Sequence, residues 1–135
     1  MSDKHLQGGC QCGNVRYRIA GEPAGLVVCH CNDCKKQSSS AFGMSLFVLT
    51  RNFAFITGQP KSFTVTADSG RLKTCTFCPD CGSRLTHQTR PQALSVKAGT
   101  LDDATGLTPS AHYWTKRKLP WVIVPSGVKC VEDDG

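Results

Sequence analysis

Nine of the 135 residues are cysteine, and all but Cys75 and Cys130 fall into three tight groups. Cys10 and Cys12 form CxC inside GGCQCG, Cys29, Cys31 and Cys34 form CxCxxC inside VVCHCNDCKK, and Cys78 and Cys81 form CxxC inside FCPDCGS. A cysteine pair spaced by one or two residues beside glycine is a metal knuckle. The turn points both sulfurs inward, and glycine lets backbone N–H groups approach the thiolates. Gly13 and Gly82 each follow a pair directly. Disulfides are the plainer alternative, but a bridge within CxC is strained, and a cytosolic setting keeps thiols reduced. A redox CxxC prefers a helix start in a βαβ unit, and the sequence has no such pattern. Soft thiolates in a tetrahedral set suit Zn²⁺, with an iron–sulfur centre a distant second.

The ligand count separates two kinds of site. The two pairs supply four sulfurs, enough to close one tetrahedron. The triplet supplies three and leaves a position open. Closed zinc sites are structural, and a three-ligand site with an exchangeable fourth position is what catalysis needs. The count leaves open that a fourth protein ligand closes the triplet as well, from among Cys75, Cys130, His30, His87 and His112. His30 lies between two ligand cysteines, so its side chain is expected to point away from their metal. Cys75 reads more simply as a buried thiol.

The rest of the chain is expected to be one domain spanning 1–135, with its core over about 6–125. Hydrophobic residues make up 39% of it and charged residues 19%, enough to bury a core. No apolar run approaches the roughly 18 residues that span a bilayer. The start lacks the apolar stretch of a secretory signal, so a cytoplasmic location is expected. Short β-prone runs are read at Asn14–Ala20, Leu26–Val28, Met44–Leu49, Asn52–Thr57, Phe63–Val65, Leu72–Phe77, Arg84–Gln88, Leu94–Ala98 and Trp121–Val124, parted by turns such as Gly58-Gln59-Pro60 and Asp68-Ser69-Gly70. In the first of these, Val15, Tyr17 and Ile19 share a face. A turn or two of helix is expected over Lys35–Ser40. The class is mainly β.

Sixteen basic against ten acidic residues give a net charge of +6, concentrated at Lys35-Lys36, Arg71 with Lys73, and Lys116-Arg117-Lys118. This favours a small anionic ligand. Nucleic acid is disfavoured, because it asks for a denser basic stripe interleaved with aromatics, and only Tyr113 and Trp114 flank the strongest cluster.

GGCQCGNVRY, CHCNDCKKQSSSAFG, FCPDCGSRL and LSVKAGTLDD, in that order, resemble the glutathione-dependent formaldehyde-activating enzyme and centromere protein V family. The closing PSAHYWTKRKLPW is similar to its C-terminal signature, so the likeness runs from about Leu6 to about Pro125. The resemblance implies a β-tent fold of layered antiparallel sheets with zinc knuckles. It implies two Zn²⁺ per chain, a structural one on Cys10, Cys12, Cys78 and Cys81 and a catalytic one on Cys29, Cys31 and Cys34. The implied partner is glutathione or a similar small thiol. The implied reaction adds glutathione to formaldehyde to give S-hydroxymethylglutathione, and its reverse is a carbon–sulfur lyase step. Ser39 departs from the family pattern, standing where many members have glycine.

The chemistry expected at the triplet is thiol activation. A free thiol with a pKa near 8.5 is only about 3% ionised at pH 7, so complete deprotonation gains at most about 30-fold, roughly 2 kcal/mol. Proximity to the aldehyde adds more. In the loop after the triplet, Lys35 and Lys36 are candidates to attract the carboxylates of glutathione, or else are solvated surface. Gln37, Ser38 and Ser39 are candidate hydrogen-bond donors. An enzyme of the same zinc–thiol type acting on a different thiol adduct stays open, as do two rivals of other kinds. One is a non-enzymatic, zinc-stabilised binding module with an anionic partner. The other is a zinc-bearing methionine sulfoxide reductase, which is disfavoured because acidic residues follow Cys130 where that enzyme needs an activating base.

Overall fold

The computed structural model describes residues 5–67 and 70–133 of the chain. Eleven strands are found among these residues: β1 (His5–Gly9), β2 (Arg16–Ala20), β3 (Gly25–Cys29), β4 (Gly43–Leu49), β5 (Phe53–Thr57), β6 (Lys61–Thr66), β7 (Leu72–Phe77), β8 (Arg84–Arg90), β9 (Ala93–Lys97), β10 (Ala111–Tyr113) and β11 (Lys129–Val131). The α-helix α1 (Asn32–Ser38) sits between β3 and β4. The strands form two layers, a three-stranded sheet in the order β1-β2-β5 and an eight-stranded sheet in the order β11-β10-β3-β4-β9-β8-β7-β6. Their ladders are antiparallel except at β10, which pairs in parallel with both β3 and β11. The mainly β, layered antiparallel architecture is therefore the one the sequence implied.

Alternation in β2 shows why the layers stack. Val15, Tyr17 and Ile19 are buried on one face, while Arg18 faces solvent. They join Leu46 and Val48 of β4, Leu85 of β8 and Leu94 and Val96 of β9 in one apolar cluster that draws on both sheets. Tyr17 keeps its hydroxyl satisfied in this core by a 2.7 Å hydrogen bond with Thr100 Oγ1. Its ring packs 5.2 Å from that of Phe53. At Gly8, opposite Tyr17, a Cβ would come within 2.4 Å of the Tyr17 hydroxyl, so only glycine admits this approach.

Two expectations change. Trp121–Val124 is not a strand. Lys118 Nζ donates to the carbonyls of Leu119 and Val122, and Val122 N donates to Leu119 O, so a lysine and a turn supply the contacts a ladder would. Val122 alone of that run is buried, with Trp121 and Ile123 exposed. The helix begins earlier than expected, with Cys31 as its N-cap: the Cys31 sulfur accepts from Cys34 N at 3.2 Å. Asp68 and Ser69, two residues of an expected turn, lie outside the described residues.

Ser39 closes α1 in the left-handed region, at φ 52° and ψ 44°, with its N–H on the carbonyls of Lys35 and Lys36. A β-carbon is strained there and glycine is not. Ser39→Gly is therefore expected to stabilise the chain by about 0.5–1 kcal/mol in urea unfolding. A loss of stability would show that the Ser39 side chain contributes more than its backbone costs.

Candidate metal centres and the cleft beside them

The two knuckle pairs meet in space. Cys10 and Cys12 follow β1, Cys78 and Cys81 follow β7, and all four sulfurs lie within 4.8 Å of one another. Each pair is folded by a tight turn, closed across three residues at the first pair and four at the second. Gly13 N donates to Cys10 O at 3.1 Å, and Gly82 N donates to Cys78 O at 2.8 Å. Both glycines have positive φ, 84° and 82°, which the turn requires. The pairs are tied to each other by Gln11 N to Ser83 Oγ at 3.0 Å and by Asn14 Nδ2 to Asp80 Oδ2 at 3.0 Å. Cys10 and Cys78 are buried. The Cys10–Cys12 and Cys12–Cys78 sulfur separations are 3.5 and 3.8 Å. Four sulfurs about 2.3 Å from one zinc stand about 3.8 Å apart, so this spacing fits a tetrahedral ion and not a disulfide.

Cys29, Cys31 and Cys34 form the second group, also within 4.8 Å. Cys29 ends β3, Cys31 caps α1 and Cys34 sits in its first turn. Hydrogen bonds from Cys29 and then Cys34 pull the Cys31 thiol far below its ordinary pKa, to about 2. The same contacts, Cys29 first and then Cys31, push Cys34 up. Three thiols this close oppose one another's ionisation, and a soft dication is the partner that lets all three ionise. Both groups could thus hold zinc. Among the described residues, no histidine, carboxylate or further cysteine joins the triplet within the same span. His30 is fully buried, with Nε2 2.8 Å from His112 Nδ1 and its ring edge-on to Phe42. Cys130 is exposed on β11.

The groups differ in what surrounds them. All three triplet cysteines line a cavity of about 610 Å³, walled by Phe63, Val65 and Trp114 and carrying Lys36, Lys73 and Arg84. Buried Cys75 lines it too. A neighbouring cavity of about 340 Å³ is lined by Ser38, Ser83 and Lys97, and shares Gln37 and Arg84 with the first. Gln37 bridges the two: its amide nitrogen donates to Cys34 Sγ at 3.8 Å, and its oxygen accepts from Arg84 Nη2 at 3.2 Å. The Arg84 guanidinium also lies over the Phe63 ring, 4.9 Å from its centre. None of the four knuckle-pair cysteines lines either cavity.

Of the loop residues named from sequence, Lys36 and Gln37 line the triplet's cavity, and Gln37 and Ser38 line its neighbour. Lys35 instead donates to the carbonyl of Arg117, and Ser39 belongs to neither lining. No spacing rule marks Lys73, Arg84, Lys97 and Trp114 as site residues: the last three stand within the motifs FCPDCGSRL, LSVKAGTLDD and PSAHYWTKRKLPW, but it is β7, β8 and β9 that bring the three cations to the two cavities. Trp114 itself holds a left-handed backbone, at φ 58°. The basic cluster beside it is engaged within the chain. Lys116 pairs with Asp133 at 3.2 Å and lies 5.0 Å over the Trp114 ring, while Lys118 binds carbonyls.

The sequence model of the glutathione-dependent formaldehyde-activating enzyme family matches residues 5–117. The chain belongs to this family. A crystal structure of a Rhodobacter sphaeroides protein has a similar fold, with a TM-score of 0.56 and 21% identity over 76% of this chain and 91% of that one. Family membership supports glutathione-dependent formaldehyde activation, and the two cysteine groups suit the zinc that such a member would carry. No helix among the described residues is long and apolar enough to cross a membrane.

Two metals of unequal lability are expected. Elemental analysis should find two zinc ions per chain, and mild chelation should remove one while circular dichroism stays unchanged. Cys12→Ser should cost more than about 3 kcal/mol of stability, whereas Cys31→Ser should leave the fold intact. Loss of both ions together with unfolding, or equal destabilisation by both substitutions, would contradict this.

Proposed function

We propose that the chain catalyses the reversible addition of glutathione to formaldehyde at the cavity of Cys29, Cys31 and Cys34, and so acts as a carbon–sulfur lyase in the reverse direction. The observation that carries the reading is the contrast between the two cysteine groups. The quartet has its full set of sulfurs away from both cavities, while the triplet opens on a cationic one. Cys29, Cys31 and Cys34 would hold one zinc, and Cys10, Cys12, Cys78 and Cys81 the other. Bound at the triplet, zinc supplies a coordination position and a positive charge that favour the thiolate form of a substrate thiol.

The chain's own residues supply the remainder. Lys36, Lys73 and Arg84 set a positive field in the cavity that draws in a carboxylate-bearing thiol. Gln37 and the Phe63 ring fix the Arg84 guanidinium, so its donors are pre-aimed. Trp114, Phe63 and Val65 give the cavity apolar walls that limit water around the reacting carbon. In the forward direction the sulfur–carbon bond forms as the carbonyl π bond opens. The thiol proton leaves to solvent, and the new alkoxide takes one back, giving a hydroxymethyl thioether. Aldehyde addition is intrinsically easy, so positioning and thiol ionisation account for the gain without a dedicated base.

The test is the exchange rate between ¹³C-labelled formaldehyde and its glutathione adduct, followed by NMR. The zinc-loaded chain should raise the rate at least tenfold over buffer, and folded Cys31→Ser should return it to the buffer value. A native chain that leaves the rate at the buffer value would overturn the proposal.

A further inference from the structure

The smaller cavity holds a buried cation that no carboxylate pairs with among the described residues. Lys97 is 7% exposed, at the end of β9, and its ammonium makes one hydrogen bond, to Ser38 Oγ at 3.1 Å. A lysine has three donors, so two are left for a ligand. Arg84, on the adjoining strand β8, has a buried Nε with no hydrogen-bond partner. Among the described residues, neither cation pairs with a carboxylate, and the linings of both cavities hold one acid, Asp33, against four cations. Burial lowers the pKa of Lys97. The Cys34 sulfur opposes this, Arg84 and Lys73 lower it further, and the Cys29 sulfur opposes it again. A buried cation held among like charges is costly unless an anion joins it.

The position of Lys97 relates this charge to the triplet. A Cβ on Gly43 would lie 3.3 Å from both Lys97 Nζ and Cys34 Cβ and 2.9 Å from Ser38 Oγ, so glycine there allows the three groups to converge. The ammonium thus stands a short reach from the ligand cysteines, about the length that one or two extended residues span.

Resting on the proposed thiol reaction, we infer that the cavity of Lys97, Ser38 and Arg84 is a carboxylate subsite. The substrate thiol lies across the Arg84–Gln37 bridge with its sulfur at the triplet and one carboxylate on Lys97 Nζ and the Arg84 guanidinium. Lys97 is then a positioning residue that selects thiols carrying an acid over thiols without one.

Calorimetric titration of the zinc-loaded chain with glutathione and with 2-mercaptoethanol tests this. Removing a buried, unbalanced cation should not harm folding, so Lys97→Met is the first variant, and Arg84→Gln is the second. Each should bind glutathione at least tenfold more weakly and bind 2-mercaptoethanol within threefold of the native chain. Equal weakening of both thiols would mean that Lys97 acts through Cys34 alone, and would overturn the subsite. Unchanged glutathione binding in both variants would overturn it while leaving the thiol reaction standing. A native chain that binds neither thiol would overturn both.

Discussion

The two layers of this protein are joined by four sulfurs. Cys10 and Cys12 extend from β1 of the small sheet, and Cys78 and Cys81 extend from β7 of the large one. Crowding four thiol groups within 4.8 Å costs free energy unless a cation allows them to ionise together. Metal binding at the quartet would therefore be folding energy, because it closes a loop of more than sixty residues between the pairs. The core of Tyr17, Ile19, Leu46 and Val96 lies within the same closure.

The triplet is local by contrast. Its cysteines fall within six residues, and no second sheet depends on bringing them together. A site that does not fasten the fold is free to exchange a ligand. Its neighbourhood suits that freedom: a cavity with aromatic walls, four cations across the two linings, and Gln37 linking the ligand sulfur of Cys34 to Arg84. The division of labour proposed for the two cysteine groups would follow from how far apart their members stand along the chain.

Much of this was legible in the sequence because it is local. The cysteine spacings, the glycines that fold the knuckles, and the alternation of Val15, Tyr17 and Ile19 each lie within a few residues. Ser39 is a local departure whose backbone consequence is now visible, since it adopts the left-handed conformation that glycine takes without strain. What the sequence hid was brought together by pairing between distant strands. Lys73, Arg84 and Lys97 come from β7, β8 and β9, and no spacing rule connects them. The parallel pairing of β10 with β3 and β11 is equally non-local. Trp121–Val124 shows the opposite failure, in which β-branched residues between prolines read as a strand but Lys118 takes the carbonyl contacts.

The central claim is that one cysteine group is closed and the other open. The most direct measurement is zinc K-edge absorption spectroscopy of the two-zinc chain, before and after addition of glutathione. The average number of sulfur ligands per zinc should rise from 3.5 toward 4, and Cys31→Ser should abolish the change. A full set of four sulfurs on both ions before any thiol is added, or no change with millimolar glutathione, would contradict the account.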